Sequence, residues 1–310
     1  MRLAYYSLAR SEDRRYERQW IRSVRSLRRH NAQLPVWLFL FNGVTDSIAR
    51  EADACEVSLI DMGSHQDWMQ SWHPYGWVLA RYPVLHKFLV LGEVAAPRLA
   101  QALFLDCDTY FFDDPARLFV PPDQCDWCAR EELGTRLHAD GQDVRNVDED
   151  LFGQICALQR LRWIAPFNTG VCQLNNGVWN SFAELRGVFL DTVWRLLVGR
   201  ELRAFDGERD ELRAAVMSLA TERDYARALY YPSENDWILE EIATWVTLGH
   251  MPHLVQQVFT RRAVSQGWEC LDDLRHGALP VAAHYFSSLQ DEFSEALAER
   301  AAETCVSSAS

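Results

Sequence analysis

The sequence predicts an α/β fold: one large domain with a doubly wound, mainly parallel but mixed sheet flanked by helices. Three observations carry this. Apolar runs of strand length alternate with helical stretches from the N-terminus onward. The runs "RLAYYSL", "PVWLFLF" and "ALFLD" read as buried strands. Hydrophobic residues make up 48% of the 310 positions and charged residues 24%, which supplies a sizeable core at a normal surface polarity.

The elements follow in order. Residues 2–8 form a first strand. Residues 11–30 form a helix in which Ser11 can cap the N-terminus, acids occupy the first turn and cations the last. Trp20, Ile21, Val24 and Leu27 give that helix its apolar stripe. A strand over 35–41, a short helix near 45–53 and a strand over 55–62 come next. Residues 64–82 hold three tryptophans with His, Pro and Gly, and read as an aromatic loop. A helix over 84–94 leads into a strand over 102–106, and the chain continues extended to a turn at Asp114-Pro115. The stretch "CDWCARE" reads as a strand, and the polar stretch 132–150 as a flexible excursion. A strand over 165–176 precedes helices at about 178–198, 207–222 and 233–249, the last capped by Ser233. Residues 279–288 form a late strand. The domain is expected to span 1–295, with 296–310 a frayed or disordered tail.

Charge and composition exclude several functions. The net charge of −13 disfavours a general nucleic-acid or anionic-membrane surface, so phosphate could be bound only locally. No segment approaches the roughly 18 apolar residues of a membrane span. The N-terminus "MRLAYYSLARSEDRRYERQ" turns charged too early for a secretory signal, so a cytoplasmic location is expected. The eight cysteines are scattered, and the lone Cys-x-x-Cys, Cys125 with Cys128, has no second pair at zinc spacing. Reduced packing thiols fit this usage. Among 31 basic residues only Lys87 is a lysine. It is either a survivor of codon bias or a position that needs a compact ammonium rather than a planar guanidinium.

The chemistry concentrates in "ALFLDCDTYFFDDP". Asp106 and Asp108 end an apolar run, where a carboxylate is costly unless something positive meets it. Residues i and i+2 of an extended segment point to one side, so both carboxylates can act together at the edge where open α/β sheets bind ligands. Two readings compete. In one, Asp106 is a nucleophile and Asp108 its acid partner, as in phosphatases with an Asp-x-Asp-x-Thr motif. In the other, the pair holds a hard divalent cation such as Mn²⁺ or Mg²⁺ against a nucleotide diphosphate. The first needs a later cation to hold the phosphoryl group, and the single lysine comes earlier. A third reading is a non-catalytic sugar or peptide binder.

In its order of segments, "LFLDCDTYFFDDP", then "FNTGVCQLNN", then "AHY", the chain resembles the nucleotide-sugar glycosyltransferases of the GT-A type, and among them the glycogenin and lipopolysaccharide galactosyltransferase group. The resemblance covers roughly 2–290 as an order of elements and is specific in those three segments. It implies a GT-A-like fold and transfer of a sugar, with retention, from a nucleotide-diphosphate sugar, a UDP-sugar by resemblance, to a sugar, lipid-sugar or peptide acceptor. It implies Asp106, Asp108 and His284 as metal ligands and Lys87 as a donor contact. Asn168, Thr169 and Gly170 match the strand start that lines the sugar pocket. Tyr5 and Ser7 lie where the family binds the nucleotide base, and Cys107 sits between the metal carboxylates. Asp236, with Glu234 as the alternative register, matches the acid that faces the sugar. The chain departs from the family after His284, where "HYFSSLQDEF" lacks the usual Gly and Lys-Pro-Trp, which places more weight on Lys87. Trp68, Trp72 and Trp77 could stack on an acceptor or pack a long loop.

Overall fold

The computed structural model describes residues 1–73, 75–94, 99–131, 136–137, 143–144, 147–161, 167–203, 211–233, 238–285 and 287–307. Its strands are β1 (Arg2–Ala9), β2 (Val36–Phe41), β3 (Val57–Gly63), β4 (Gln101–Leu105), β5 (Thr109–Phe111), β6 (Trp127–Glu131), β7 (Arg136–Leu137), β8 (Asp143–Val144), β9 (Phe167–Asn175), β10 (Gln256–Phe259), β11 (Val264–Gln266) and β12 (Ala282–His284). Seven of them form the main sheet, in the order β10-β6-β9-β4-β1-β2-β3. All neighbours are parallel except β9, which runs antiparallel to both β4 and β6. The sheet is therefore mixed and mainly parallel, as the alternation of strands and helices predicts.

Strand alternation splits the core into two layers. Leu3 and Tyr5 of β1, with Ala102 and Phe104 of β4, face the helices Phe182–Arg203 and Leu239–Gly249. Ala4, Tyr6 and Leu8, with Leu103 and Leu105, face the helix Arg15–His30 through Trp20, Val24 and Leu27. Each fully buried leucine among these contributes on the order of 1.5–3 kcal/mol. A second sheet, β11-β12-β5, is covered by the helices Trp268–His276 and Gln290–Ser307. Ala283 and Tyr285 pack into that cluster, and Tyr285 stacks on Phe293 with ring centres 4.3 Å apart. The same alternation turns His284, which lies between them, to the opposite side.

Several expectations are corrected. The first helix starts at Arg15, not Ser11, and its N-cap residue, Arg14, makes no side-chain cap. The stretch 64–82 is not a loop: it holds the helices His65–Trp72 and Gly76–Leu79. Ser64 caps the first by accepting from Asp67 N, and His65, Trp68, Met69 and Trp72 fall at helical spacing on one apolar face. The helix expected over 84–94 is broken into a 3₁₀ turn Pro83–Leu85 and two single turns, His86–Leu89 and Leu91–Val94. The late strand is only Ala282–His284. The helix expected from Ser233 begins, among the described residues, at Leu239, with Ile238 as N-cap and no side-chain cap. The terminal helix is Gln290–Ser307. Much of the polar 132–150 stretch lies outside the described residues, but β7 and β8 pair antiparallel within it. The strands β10 and β11 and the helix Trp268–His276 have no counterpart in the expected order. Cys125 and Cys128 are buried free thiols, as expected of packing residues. Among the described residues, no helix is long and apolar enough to cross a membrane.

Trp68 packs on Phe41 at 5.0 Å and on Trp72 at 5.4 Å, and the Arg186 guanidinium lies over the Trp72 ring at 4.9 Å. These contacts make Trp68 a structural residue. Trp68→Ala is expected to lower unfolding free energy by about 3 kcal/mol in chemical denaturation. An unchanged denaturation midpoint would return Trp68 to the acceptor surface.

Candidate functional site

A cavity of about 510 Å³ opens at one edge of the main sheet. It follows the C-terminal ends of β1 and β4 and the N-terminal end of β9, which shares that edge because β9 is reversed. Ser7, Asp106 and Asn168 mark its path across three neighbouring strands.

The backbone fixes the Asp-x-Asp turn before any side chain acts. Asp106 N donates to Gly170 O at 2.7 Å, and Thr109 N donates to Asp106 O at 3.2 Å. β5 then pairs antiparallel with β12, in a register that sets His284 opposite Thr109. Tyr285 N donates to Asp108 O at 3.1 Å, which ties the two segments together. His284 Nε2 consequently lies 3.1 Å from Asp108 Oδ1 and 3.5 Å from Asp106 Oδ2. Gly170 is required beneath this ring: a Cβ there would stand 2.1 Å from His284 Cε1. Asp106, Asp108 and His284 each offer one ligand atom, all within 4.8 Å of one another. Two carboxylates and an imidazole suit a divalent cation such as Mn²⁺.

The remaining groups adjust to this negative charge. Lys87 Nζ donates to Asp106 Oδ2 at 2.7 Å. Burial works against the ammonium, but Asp106, Glu240 and Asp108 outweigh it and raise the Lys87 pKa above its ordinary value. Burial also opposes the imidazolium of His284, yet Asp108 and Asp106 push its pKa up to about 10. Burial, with Asp106 and Asp108 beside it, raises the Cys107 thiol well above its usual range. Cys107 therefore lines the cavity as a neutral thiol.

A pair of acids on the helix Leu239–Gly249 closes the far side. Thr169 Oγ1 donates to Glu240 Oε2 at 2.7 Å, and Thr244 Oγ1 to Glu240 Oε1 at 3.1 Å. Asn168 Nδ2 donates to Glu241 Oε1 at 2.9 Å, and Thr169 N to the same oxygen at 3.2 Å. Asn168 Oδ1 in turn accepts from Gly170 N at 2.8 Å. Burial pushes the Glu240 carboxyl up to about 7, against the opposing effects of Lys87 and the Thr169 hydroxyl.

Most of the residues singled out in the sequence meet here. Ser7, Lys87, Asp106, Cys107, Asp108, Asn168 and His284 line the cavity. Thr169 and Gly170 support it from behind, the first through Glu240 and the second under His284. Tyr5 departs from its expected place at a nucleotide base. It lines a separate internal cavity of about 10 Å³ with Lys87, Thr169 and Glu240. Its buried hydroxyl has no hydrogen-bond partner among the described residues. The reason is strand alternation: Tyr5 points into the layer between the sheet and the long helices. Asp236 and Glu234 lie outside the described residues. Trp68, Trp72 and Trp77 are not among the residues lining the large cavity. Glu240, Glu241, Arg15, Tyr16 and His86 line it and were missed. For the glutamates a signal existed: they are two adjacent acids inside "WILEEIATWVTLG", a helix buried at every position from Leu239 to Gly249.

No protein-family model matches the sequence, and no curated protein does. Solved structures resemble the fold. The apo structure of the bifunctional glycosyltransferase WbbM aligns with a TM-score of 0.50 at 13% identity, covering 95% of this chain and 49% of that one. The galactosyltransferase LgtC, solved in complex with donor and acceptor sugar analogues, aligns with a TM-score of 0.49 at 13% identity over 96% of each chain. Mouse xyloside xylosyltransferase 1 aligns at 0.49 and 12% identity, over 92% of this chain and 97% of that one. The fold is the GT-A glycosyltransferase fold.

The Glu240 shift has a signed consequence. Its folded pKa of about 7 stands above the ordinary 4.5, so the contribution is present below pH 4.5 and lost as pH rises through 7. The loss amounts to roughly 3 kcal/mol at one pKa unit per 1.36 kcal/mol. In metal-free protein, the unfolding free energy of Glu240→Gln relative to wild type should therefore rise between pH 4.5 and 7 and level off above. Parallel pH profiles for the two proteins would contradict the shift.

Proposed function

We propose that the protein is a metal-dependent glycosyltransferase that moves a sugar from a nucleotide-diphosphate sugar to a sugar, lipid-sugar or peptide acceptor. The carrying observation is the convergence of Asp106, Asp108 and His284 with Lys87 in one cavity at the ligand-binding edge of a GT-A fold. UDP is the proposed nucleotide, retention the proposed stereochemistry and a cytoplasmic enzyme spanning 1–295 the proposed context; the ordered motif resemblance supports these.

Each group then has a role. Asp106, Asp108 and His284 would hold Mn²⁺ or Mg²⁺, and the ion would supply positive charge against a diphosphate leaving group. Lys87 supplies a second, fixed positive charge beside Asp106, where stabilisation counts most because negative charge grows as the sugar–phosphate bond breaks. Asn168, Glu240 and Glu241 line the same cavity and face the sugar as its carbon becomes cation-like. Ser7, with Tyr16 and His86, forms the other end, for the nucleoside. The sugar-facing roles of Asp236 or Glu234 remain part of the proposal through motif position alone.

Two outcomes are expected. Asp106→Asn and Asp108→Asn should each abolish Mn²⁺-dependent UDP binding in calorimetry; in the metal-free protein Asp106→Asn should also lower stability, because the buried Lys87 ammonium loses its carboxylate partner. Unchanged metal-dependent affinity in both would refute the metal assignment. Lys87→Arg should lower donor turnover roughly ten- to a hundredfold, the equivalent of about 1.5–3 kcal/mol for one charged contact. Near-wild-type turnover would reduce Lys87 to an incidental lysine.

A further inference from the structure

The cavity crosses the sheet edge in a fixed order, β1 to β4 to β9, a span of two strand spacings or about 10 Å. Its middle carries Asp106, Asp108 and His284. Its two ends differ in chemistry. With Leu8 and Ala9 of β1, the residues Arg15, Tyr16, Val84 and His86 line the cavity, a largely apolar and aromatic surface with one guanidinium, suited to a flat heterocycle. The β9 end is lined by Asn168, Glu240 and Glu241. If the diphosphate sits at the centre, as the proposed function requires, the base takes the first end and the sugar meets the glutamates.

Those glutamates cannot swing away. Glu240 is held by the hydroxyls of Thr169 and Thr244, and Glu241 by Asn168 Nδ2 and the Thr169 amide. Both side chains are buried, at 3% and 5% exposure. The wall presents carboxylate oxygens that accept hydrogen bonds from sugar hydroxyls, and Glu240, pushed toward its neutral form by burial, can also donate one. Glu241 on this wall opposes a carboxylate on the sugar: like charges brought together at a desolvated contact are strongly disfavoured. Lys87 donates to Asp106 at 2.7 Å and offsets part of the charge on Glu240, so the repulsion falls mainly on Glu241.

We infer that Glu240 and Glu241 select nucleotide sugars whose sugar is uncharged and reject those bearing a sugar carboxylate, the hexuronic acids. This rests on the proposed function, since it needs a nucleotide sugar in the cavity.

The test is calorimetry on the full chain with Mn²⁺, using pairs that differ only at the sugar C6: UDP-glucose with UDP-glucuronic acid, and GDP-mannose with GDP-mannuronic acid. UDP and GDP alone report the nucleotide site. In the pair whose nucleotide binds, the acid should bind about tenfold or more weakly than its neutral counterpart. Glu241→Gln keeps an oxygen for Asn168 and removes the charge, so it should narrow that gap; Glu240→Gln is the second variant, and thermal unfolding reports whether each is folded. Equal affinity within the pair, with the free nucleotide bound, would overturn this inference and leave the proposed function standing. A gap unchanged in both folded variants would overturn the assignment to these glutamates. No binding of either nucleotide would overturn both.

Discussion

Repulsion among buried acids is the constraint on which the site is built. Asp106, Asp108, Glu240 and Glu241 share one cavity, where the low dielectric makes unpaired negative charge expensive. The structure answers with an ammonium on Asp106, an imidazole against both aspartates and a set of hydroxyl and amide donors on the two glutamates. The directions of the pKa shifts follow from this one fact: the cations are raised by their carboxylate neighbours, and Glu240 is pushed toward its neutral form by burial. A divalent cation would complete the compensation.

The fold supplies the convergence by reversing one strand and adding a small second sheet. If β9 ran parallel to β4, Asn168 would sit at the opposite edge from Asp106. Because it is antiparallel, Asn168, Thr169 and Gly170 reach the ligand-binding edge and receive the helix carrying Glu240 and Glu241. The small sheet does the same for His284, since the pairing of β12 with β5 fixes it beside Asp108 and the packing of Ala283 and Tyr285 leaves it one direction to point. Gly170 then permits a contact that no side chain would allow. Catalytic geometry of this kind rests on packing far from the ligand, which is why the terminal helix against Tyr285 belongs to the site's support.

The single lysine illustrates how far residue choice can be read. An arginine-rich chain with one lysine suggested a need for a compact cation, and Lys87 does meet Asp106 directly. The broken helical stretch that carries it was read as one continuous helix; Pro83 and the successive short turns place Lys87 at the cavity all the same. The tryptophans show the opposite error. Composition made 64–82 look like an aromatic loop, while the spacing of His65, Trp68, Met69 and Trp72 already described a helix face packed on the core.

By itself the sequence determined the α/β alternation, the paired carboxylates at a strand end and the single lysine that meets them, while Asn168 and His284 came from the resemblance in motif order. The first three are local properties: an apolar run, an i, i+2 spacing, a rare residue type. Only the tertiary structure decided that Tyr5 turns inward to a separate small cavity, because facing depends on which layer covers the strand. It alone decided that Glu240 and Glu241 form the far wall. Their helix is buried on all sides, so its periodicity names no face, and the direction of an acid there is set by the threonine and asparagine of a distant reversed strand.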